Sequence, residues 1–155
     1  MTAFTAGAEG AGSVRARLHP HCIVCGAGNP RGLGLMFTPC ADGGGVETRF
    51  DCAESVEGYT GLVHGGVVGM LMDAAMAQCL FHLGCVAHTG ELHVRFRHPI
   101  VVGREARVRA WRERTRGRLH VLGADLRQDG RVKAVATAKF LEPAAAGEDA
   151  RLKAD

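Results

Sequence analysis

Residues 65–83 read GGVVGMLMDAAMAQCLFHL. The stretch has helix length, lacks proline, and is rich in alanine, leucine and methionine, all good helix formers. Its apolar residues run nearly all the way round, which predicts a helix buried on most sides rather than laid on a surface. The chain around it alternates with period two instead. Leu33, Leu35 and Phe37 share one face, as do Val46, Thr48 and Phe50. Leu92, Val94 and Phe96 stand against His93, Arg95 and Arg97, and Ala106, Val108 and Ala110 against Arg107 and Arg109. Val132, Ala134, Ala136, Ala138 and Phe140 alternate with Lys133, Thr137 and Lys139, and residues 118–127 form a less regular sixth run. Turn signals at 42–45, 99–103, 116–117 and 129–130 separate these segments. The pattern predicts an α+β domain in which about six antiparallel strands curl around one long central helix, in the order strand, strand, helix, four strands. Residues 15–141 form that domain, and residues 1–14 and 142–155 read as loose tails.

Composition narrows the function. The 155 residues are 46% hydrophobic and 23% charged, enough for a real core and too apolar for wholesale disorder. No apolar run approaches the ~20 residues that span a bilayer. The first residues carry no charged start followed by an apolar block, so no secretory signal is read. The six cysteines are therefore expected as reduced thiols in a cytoplasmic protein. Charge is uneven. Residues 1–90 hold four basic and seven acidic side chains, a balance of −3, whereas residues 91–139 hold thirteen basic and five acidic, a balance of +8. Solvated strand faces account for much of this, and a basic rim for a phosphate-bearing small molecule is the functional alternative. Nucleic acid fits poorly, because one Trp and one Tyr supply no stacking platform.

Two features of the helix point to chemistry. Asp73 lies in its middle, among Met70, Leu71, Met72, Ala74, Ala75 and Met76, with no Lys or Arg on the helix to pair with it. A carboxylate so placed is expected to be perturbed by desolvation, and such acids mark sites. At the start of the helix, His64-Gly65-Gly66 stands where Ser, Thr, Asp or Asn would ordinarily cap the first turn. The reading is of free N–H groups at the positive end of the helix dipole, able to hold an anion or a carbonyl oxygen becoming negative. Gly65 and Asp73 are eight residues apart, ~12 Å along a helix axis. Groups acting on one carbonyl must lie within ~3–4 Å of the reacting atoms. One helix cannot supply both, so a site that uses both predicts a two-fold dimer with paired antiparallel helices.

The stretch EGYTGLVHGGVVGMLMDAAM, followed by TGELHVRFRHPIVVG, resembles the hotdog-fold acyl-CoA thioesterases, and most closely their phenylacetate-degradation branch. The upstream CIVCGAGNPRGLGLMF resembles the opening region of many such proteins, so the likeness covers roughly residues 19–141. It implies a central helix wrapped by an antiparallel sheet, paired into dimers and often into dimers of dimers. It also implies hydrolysis of an acyl-CoA thioester to free acid and coenzyme A, with no cofactor and no metal. By the same resemblance Asp73 is the general base or nucleophile, and the Gly65 N–H polarises the thioester carbonyl. His64 orients the loop, Thr89 helps position water, and Gly66 stands with the substrate-binding residues. Two positions depart from the pattern: Gly58 stands where several relatives have Asn, and Ala74 where others have Glu directly after the acid. Arg116 and Arg118, at a hairpin tip, are the expected contacts for coenzyme A phosphates, with Arg95 and Arg97 as an alternative pair. A non-catalytic acyl-CoA-binding module and a hydratase or dehydratase are the competing functions. Met70, Met72, Met76, Leu80 and Phe81 read either as core or as an acyl pocket. His19, His21, Cys22 and Cys25 offer ligand types for a metal, but no second Cys-x-x-Cys follows at finger spacing, and the sequence leaves that binding open.

Overall fold

In a computed structural model of the 155-residue chain, residues 10–144 are described. The elements follow in the order α1 (Ala11–Leu18), β1 (Thr38–Pro39), β2 (Val46–Asp51), a short 3-10 turn (Glu54–Val56), α2 (Gly65–His82), β3 (His88–Phe96), β4 (Glu105–Arg116), β5 (Leu119–Gln128) and β6 (Arg131–Leu141). All six strands join one antiparallel sheet in the order β1-β2-β4-β5-β6-β3, curved around α2. This is the expected α+β architecture.

Small and large residues share the buried face of the sheet. Phe50, Val108, Leu122, Leu126 and Phe140 fill volume, while Ala106, Ala110, Ala124, Ala134, Ala136 and Ala138 leave room for α2 to seat closely. From the helix, Leu71, Met72, Met76 and Leu80 are fully buried against it. Each such side chain stabilises the fold by roughly 1.5–3 kcal/mol relative to exposure. Met72, Met76 and Leu80 are thus core and not pocket lining. Met70, Asp73, Ala74 and Ala77 stay half-buried on the opposite side, leaving one stripe of the helix uncovered. The C-terminus of α2 closes in a Schellman motif: Cys85 N–H donates to Leu80 C=O (2.9 Å) and Gly84 N–H to Phe81 C=O (3.1 Å). Gly84 takes the left-handed φ of 73° that this turn requires.

Three expectations change. Residues 33–37 do not join the sheet; Leu33 and Leu35 donate their N–H groups to the carbonyls of Ile23 and Val24, Gly34 between them turns through a left-handed φ of 63°, and only Thr38–Pro39 pair with β2. Residues 11–14, read as part of a loose tail, are helical within α1, and Val14 is buried. Glu142 is held as well: its N–H donates to Arg118 C=O and its carboxylate meets His120 Nε2 at 2.6 Å. The remaining tail residues, 1–9 and 145–155, lie outside the described residues. No described helix is long and apolar enough to cross a membrane.

Candidate active site

The first turn of α2 carries its own cap. His64 adopts an extended conformation (φ −63°, ψ 133°) and its Nδ1 accepts the Gly66 N–H at 2.8 Å. The expectation of an uncapped start is corrected here: an imidazole does the work usually done by Ser or Asp, and it occupies the Gly66 N–H. Among the described residues the Gly65 N–H has no hydrogen-bond partner, so it is the donor left at the positive end of the helix. Gly58 packs directly on His64, where an added Cβ would lie 3.0 Å from the His64 Cα. The departure from Asn at that position is therefore matched by a close backbone approach. His64→Ala is expected to lower stability by about 0.5–2 kcal/mol in urea unfolding, and His64→Asn, which restores a capping oxygen, to recover most of it.

A clip holds the loop before α2 in place. Val63 N–H donates to Ile100 C=O (2.9 Å), and Leu62 bridges Val101. Val101 is in turn gripped at both backbone groups by the buried Gln128 side chain, 2.9 Å to each. Gln128 carried no sequence signal, being one polar residue at the end of a strand. Around Gly65 opens a pocket of about 340 Å³ lined by Tyr59, Leu62, Phe96, Arg97, His98 and Pro99 among others. Tyr59 is 84% exposed and Phe96 55%, so large apolar surface surrounds the free N–H.

Asp73 lines a different pocket, of about 400 Å³, with Leu18, His19, Ala77, Phe81, His88 and Thr89 among its walls. Thr89, near the start of β3, donates its hydroxyl to Asp73 Oδ1 at 2.7 Å. The sheet irregularity between Thr89 and Glu91 falls beside this contact. Among the described residues Oδ2 accepts no hydrogen bond, so the carboxylate is oriented on one oxygen and unengaged on the other. His19 is a neighbour that sequence reasoning did not connect with Asp73. Burial pushes its pKa below the usual histidine value, with the Asp73 charge pulling the other way. His19 stands on the wall of the pocket that Asp73 lines, its ring edge-on to Phe81 at 4.9 Å.

The structure thus joins Asp73 with Thr89 and His64 with Gly66 next to Gly65, but Gly65 and the Asp73–Thr89 pair line separate pockets within one chain. Arg116 and Arg118 lie at neither. They flank Gly117 at the β4–β5 turn, and the pairings Arg116–Leu119, Leu119–Leu141 and Leu141–His88 set that turn three strands from the start of β3. At ~4.8 Å per strand the turn stands ~14 Å across the sheet, at the Asp73 end. Arg97 lines the Gly65 pocket instead. Much of the positive charge of residues 91–139 is already matched on the surface, by Arg104–Asp129 (2.8 Å), Arg109–Asp42 (2.7 Å) and Lys139–Glu91 (2.7 Å) among other pairs. All six cysteines are free thiols.

The profile of the thioesterase superfamily matches residues 60–135, a span holding His64, Gly65, Asp73 and Thr89. Comparison with curated proteins returns no match. Among solved structures, a thioesterase superfamily protein superimposes with a TM-score of 0.73 at 24% identity over 78% of this chain, which spans 63% of that protein. A phenylacetic acid degradation-related protein of Ralstonia eutropha JMP134 aligns at 26% identity and TM-score 0.63, covering 70% of this chain and 85% of that one. A hypothetical thioesterase of Streptococcus pneumoniae, solved with coenzyme A, aligns at 18% identity and TM-score 0.65, covering 70% and 85%.

Proposed function

We propose that this chain, whose residues 60–135 match the thioesterase superfamily profile and which has the hotdog fold, hydrolyses an acyl-CoA thioester in a site shared by two subunits. The observation that carries the reading is the division of labour along α2. The free N–H of Gly65 and the Thr89-oriented carboxylate of Asp73 line different pockets ~12 Å apart along the axis. Each pocket holds half of what thioester hydrolysis needs.

The uncovered surfaces fit a two-fold partner. β3 is an edge strand of nine residues, exposed along nearly its whole length, with backbone groups able to pair with another strand. The half-buried stripe of α2, Met70, Asp73 and Ala77, borders the same side. A partner related by a two-fold axis would bring its own Gly65 to Asp73 and receive Asp73 at its Gly65, giving two equivalent sites.

In such a site the thioester carbonyl oxygen accepts the Gly65 N–H, which lies at the positive end of the helix. Negative charge developing on that oxygen is stabilised where it appears. Asp73 Oδ2 then acts in one of two ways. It takes a proton from water as the water attacks the carbonyl carbon, or it attacks that carbon itself and the resulting anhydride is opened by water. Either route expels the coenzyme A thiolate and leaves a carboxylic acid. Thr89 fixes the carboxylate rotamer in both. The solved relative that carries coenzyme A supports the ligand class. Arg97 beside Gly65 and Arg116 at the Asp73 end of the sheet, neither of them in an ion pair among the described residues, are suited to its phosphates.

The test is a panel of short, medium, long and aryl acyl-CoAs, followed by loss of thioester absorbance because free thiols on the protein confuse thiol reagents. Turnover of at least one class is expected, with saturation kinetics. Binding of acyl-CoA without hydrolysis across the whole panel would replace the enzyme by a binding module.

A further inference from the structure

The segment that follows α1 gathers soft ligands at one point. His19, Cys22 and Cys25 present ligand atoms that all lie within 4.8 Å of one another. The His19 Nδ1 stands 3.9 Å from the Cys25 Sγ. Two tight turns create this convergence: Cys22 N–H donates to His19 C=O (3.3 Å) and Gly26 N–H to Cys22 C=O (2.9 Å). A Cβ on Gly26 would lie 2.3 Å from the Cys22 nitrogen, so the second turn demands glycine.

A tetrahedral zinc ion with bonds of about 2.3 Å to sulfur and 2.0 Å to nitrogen holds its ligand atoms roughly 3.5–3.8 Å apart. The cluster is within a few tenths of an ångström of that at its one resolved nitrogen–sulfur distance. A second observation comes from the helix. Gln78 is 2% exposed, in the apolar part of α2, and its Nε2 donates to the Cys25 Sγ at 3.2 Å. A neutral thiol is a weak acceptor for a buried amide, whereas a metal-bound thiolate is a good one, and donors to ligating atoms are the usual surroundings of a metal site. His21, the other histidine of the segment, is drawn away to the Gly28 carbonyl (3.2 Å), so the ligand set is His19, Cys22 and Cys25.

We propose that His19, Cys22 and Cys25 bind a thiophilic divalent cation of the zinc type, with Gln78 donating to the Cys25 sulfur and water completing the tetrahedron. Binding replaces two thiol protons, which pass to solvent, and ties the segment after α1 to α2 one wall away from Asp73. The other cluster of ligand types among the described residues, Cys85, His120 and Glu142, does not make the same case. There both ring nitrogens of His120 are already engaged, by Thr115 Oγ1 at 3.0 Å and Glu142 at 2.6 Å.

The proposal stands apart from the hydrolase reading, and its test does not use activity. The full chain, stripped with chelator under reducing conditions, is titrated anaerobically with cobalt(II). One equivalent is expected to bind, with the strong visible bands of tetrahedral cobalt and near-ultraviolet thiolate-to-cobalt absorption, and zinc is expected to displace it. Cys22→Ser and Cys25→Ser should each weaken the thiolate band and the affinity, and Gln78→Leu should lower affinity roughly 10–100-fold while keeping the band. Should the cysteine variants fail to fold, the wild-type spectrum decides alone. A wild-type chain that shows no thiolate-to-cobalt band overturns the site. So does a band left unchanged by both serine substitutions, or a chelated protein whose Cys22 and Cys25 close to a disulfide and take up no cobalt after reduction.

Discussion

Asp73→Asn is expected to lower kcat on the best acyl-CoA by about 10²–10⁴-fold, the usual contribution of a positioned general base, with KM little changed. The substitution is nearly isosteric. Thr89 can still donate its hydroxyl to the side-chain oxygen that replaces Oδ1, and the half-buried position loses no packing. Stability should therefore stay within about 0.5 kcal/mol of wild type, which thermal unfolding checks. Loss of turnover with unchanged melting assigns the chemistry to the carboxylate. Retained turnover would remove Asp73 from the reaction and leave its contact with Thr89 as a structural one. The kcat and KM split matters as much as the size of the fall. A rise in KM alone would mean that the acid merely helps to hold substrate.

The second large effect concerns the sharing of the site. Gly65→Pro removes one backbone donor and little else. Gly65 is the first residue of α2, where proline is favoured, and His64 before it already has the extended backbone that a following proline requires. The variant should fold and lose about 10²–10³-fold in kcat, as expected for an oxyanion donor. Mixed with Asp73→Asn after reversible unfolding, the two inactive chains should regain about a quarter of wild-type activity: half the dimers are mixed, and each of those rebuilds one intact site of two. Complementation of this kind is impossible if Gly65 and Asp73 of the same subunit act together. A mixture as dead as its components would place both groups of each site in one chain, or remove one of them from the chemistry.

Much of this molecule was legible before any coordinates. The proline-free apolar run became α2, and the period-two segments ending at Phe50, Phe96, Ala110 and Phe140 became β2, β3, β4 and β6, because burial imposes the same periodicity on sequence and structure. Asp73 was legible for a related reason, as the one charge on an otherwise apolar helix. What stayed hidden depends on side chains meeting across long separations or adopting unusual roles. A histidine acting as N-cap through Nδ1 breaks the usual composition rule. The Gln128 clip on Val101 spans twenty-seven residues. Helix α1 has two arginines in its last turn and no buried stripe beyond Val14, so its sequence looks like a tail and its helicity comes from docking. The convergence of His19 on Cys25 was visible only as a cluster of ligand types, since spacing does not reveal which histidine turns inward.

The six alanines beneath α2 bear on how such a chain diversifies. Where a methyl is the largest group on the sheet, the helix rests too close for anything to be admitted between them, and enlarging those positions would lever it off its seat. The proposed acyl-CoA site therefore lies on the outer side of α2, where Gly65 and Asp73 line open pockets, and not on the alanine face. Under the proposed function, selectivity for one acyl group over another is then uncoupled from foldability. Substitutions on the outer side of α2 can then change which acyl group is accepted without disturbing the packing of the helix on its alanine bed.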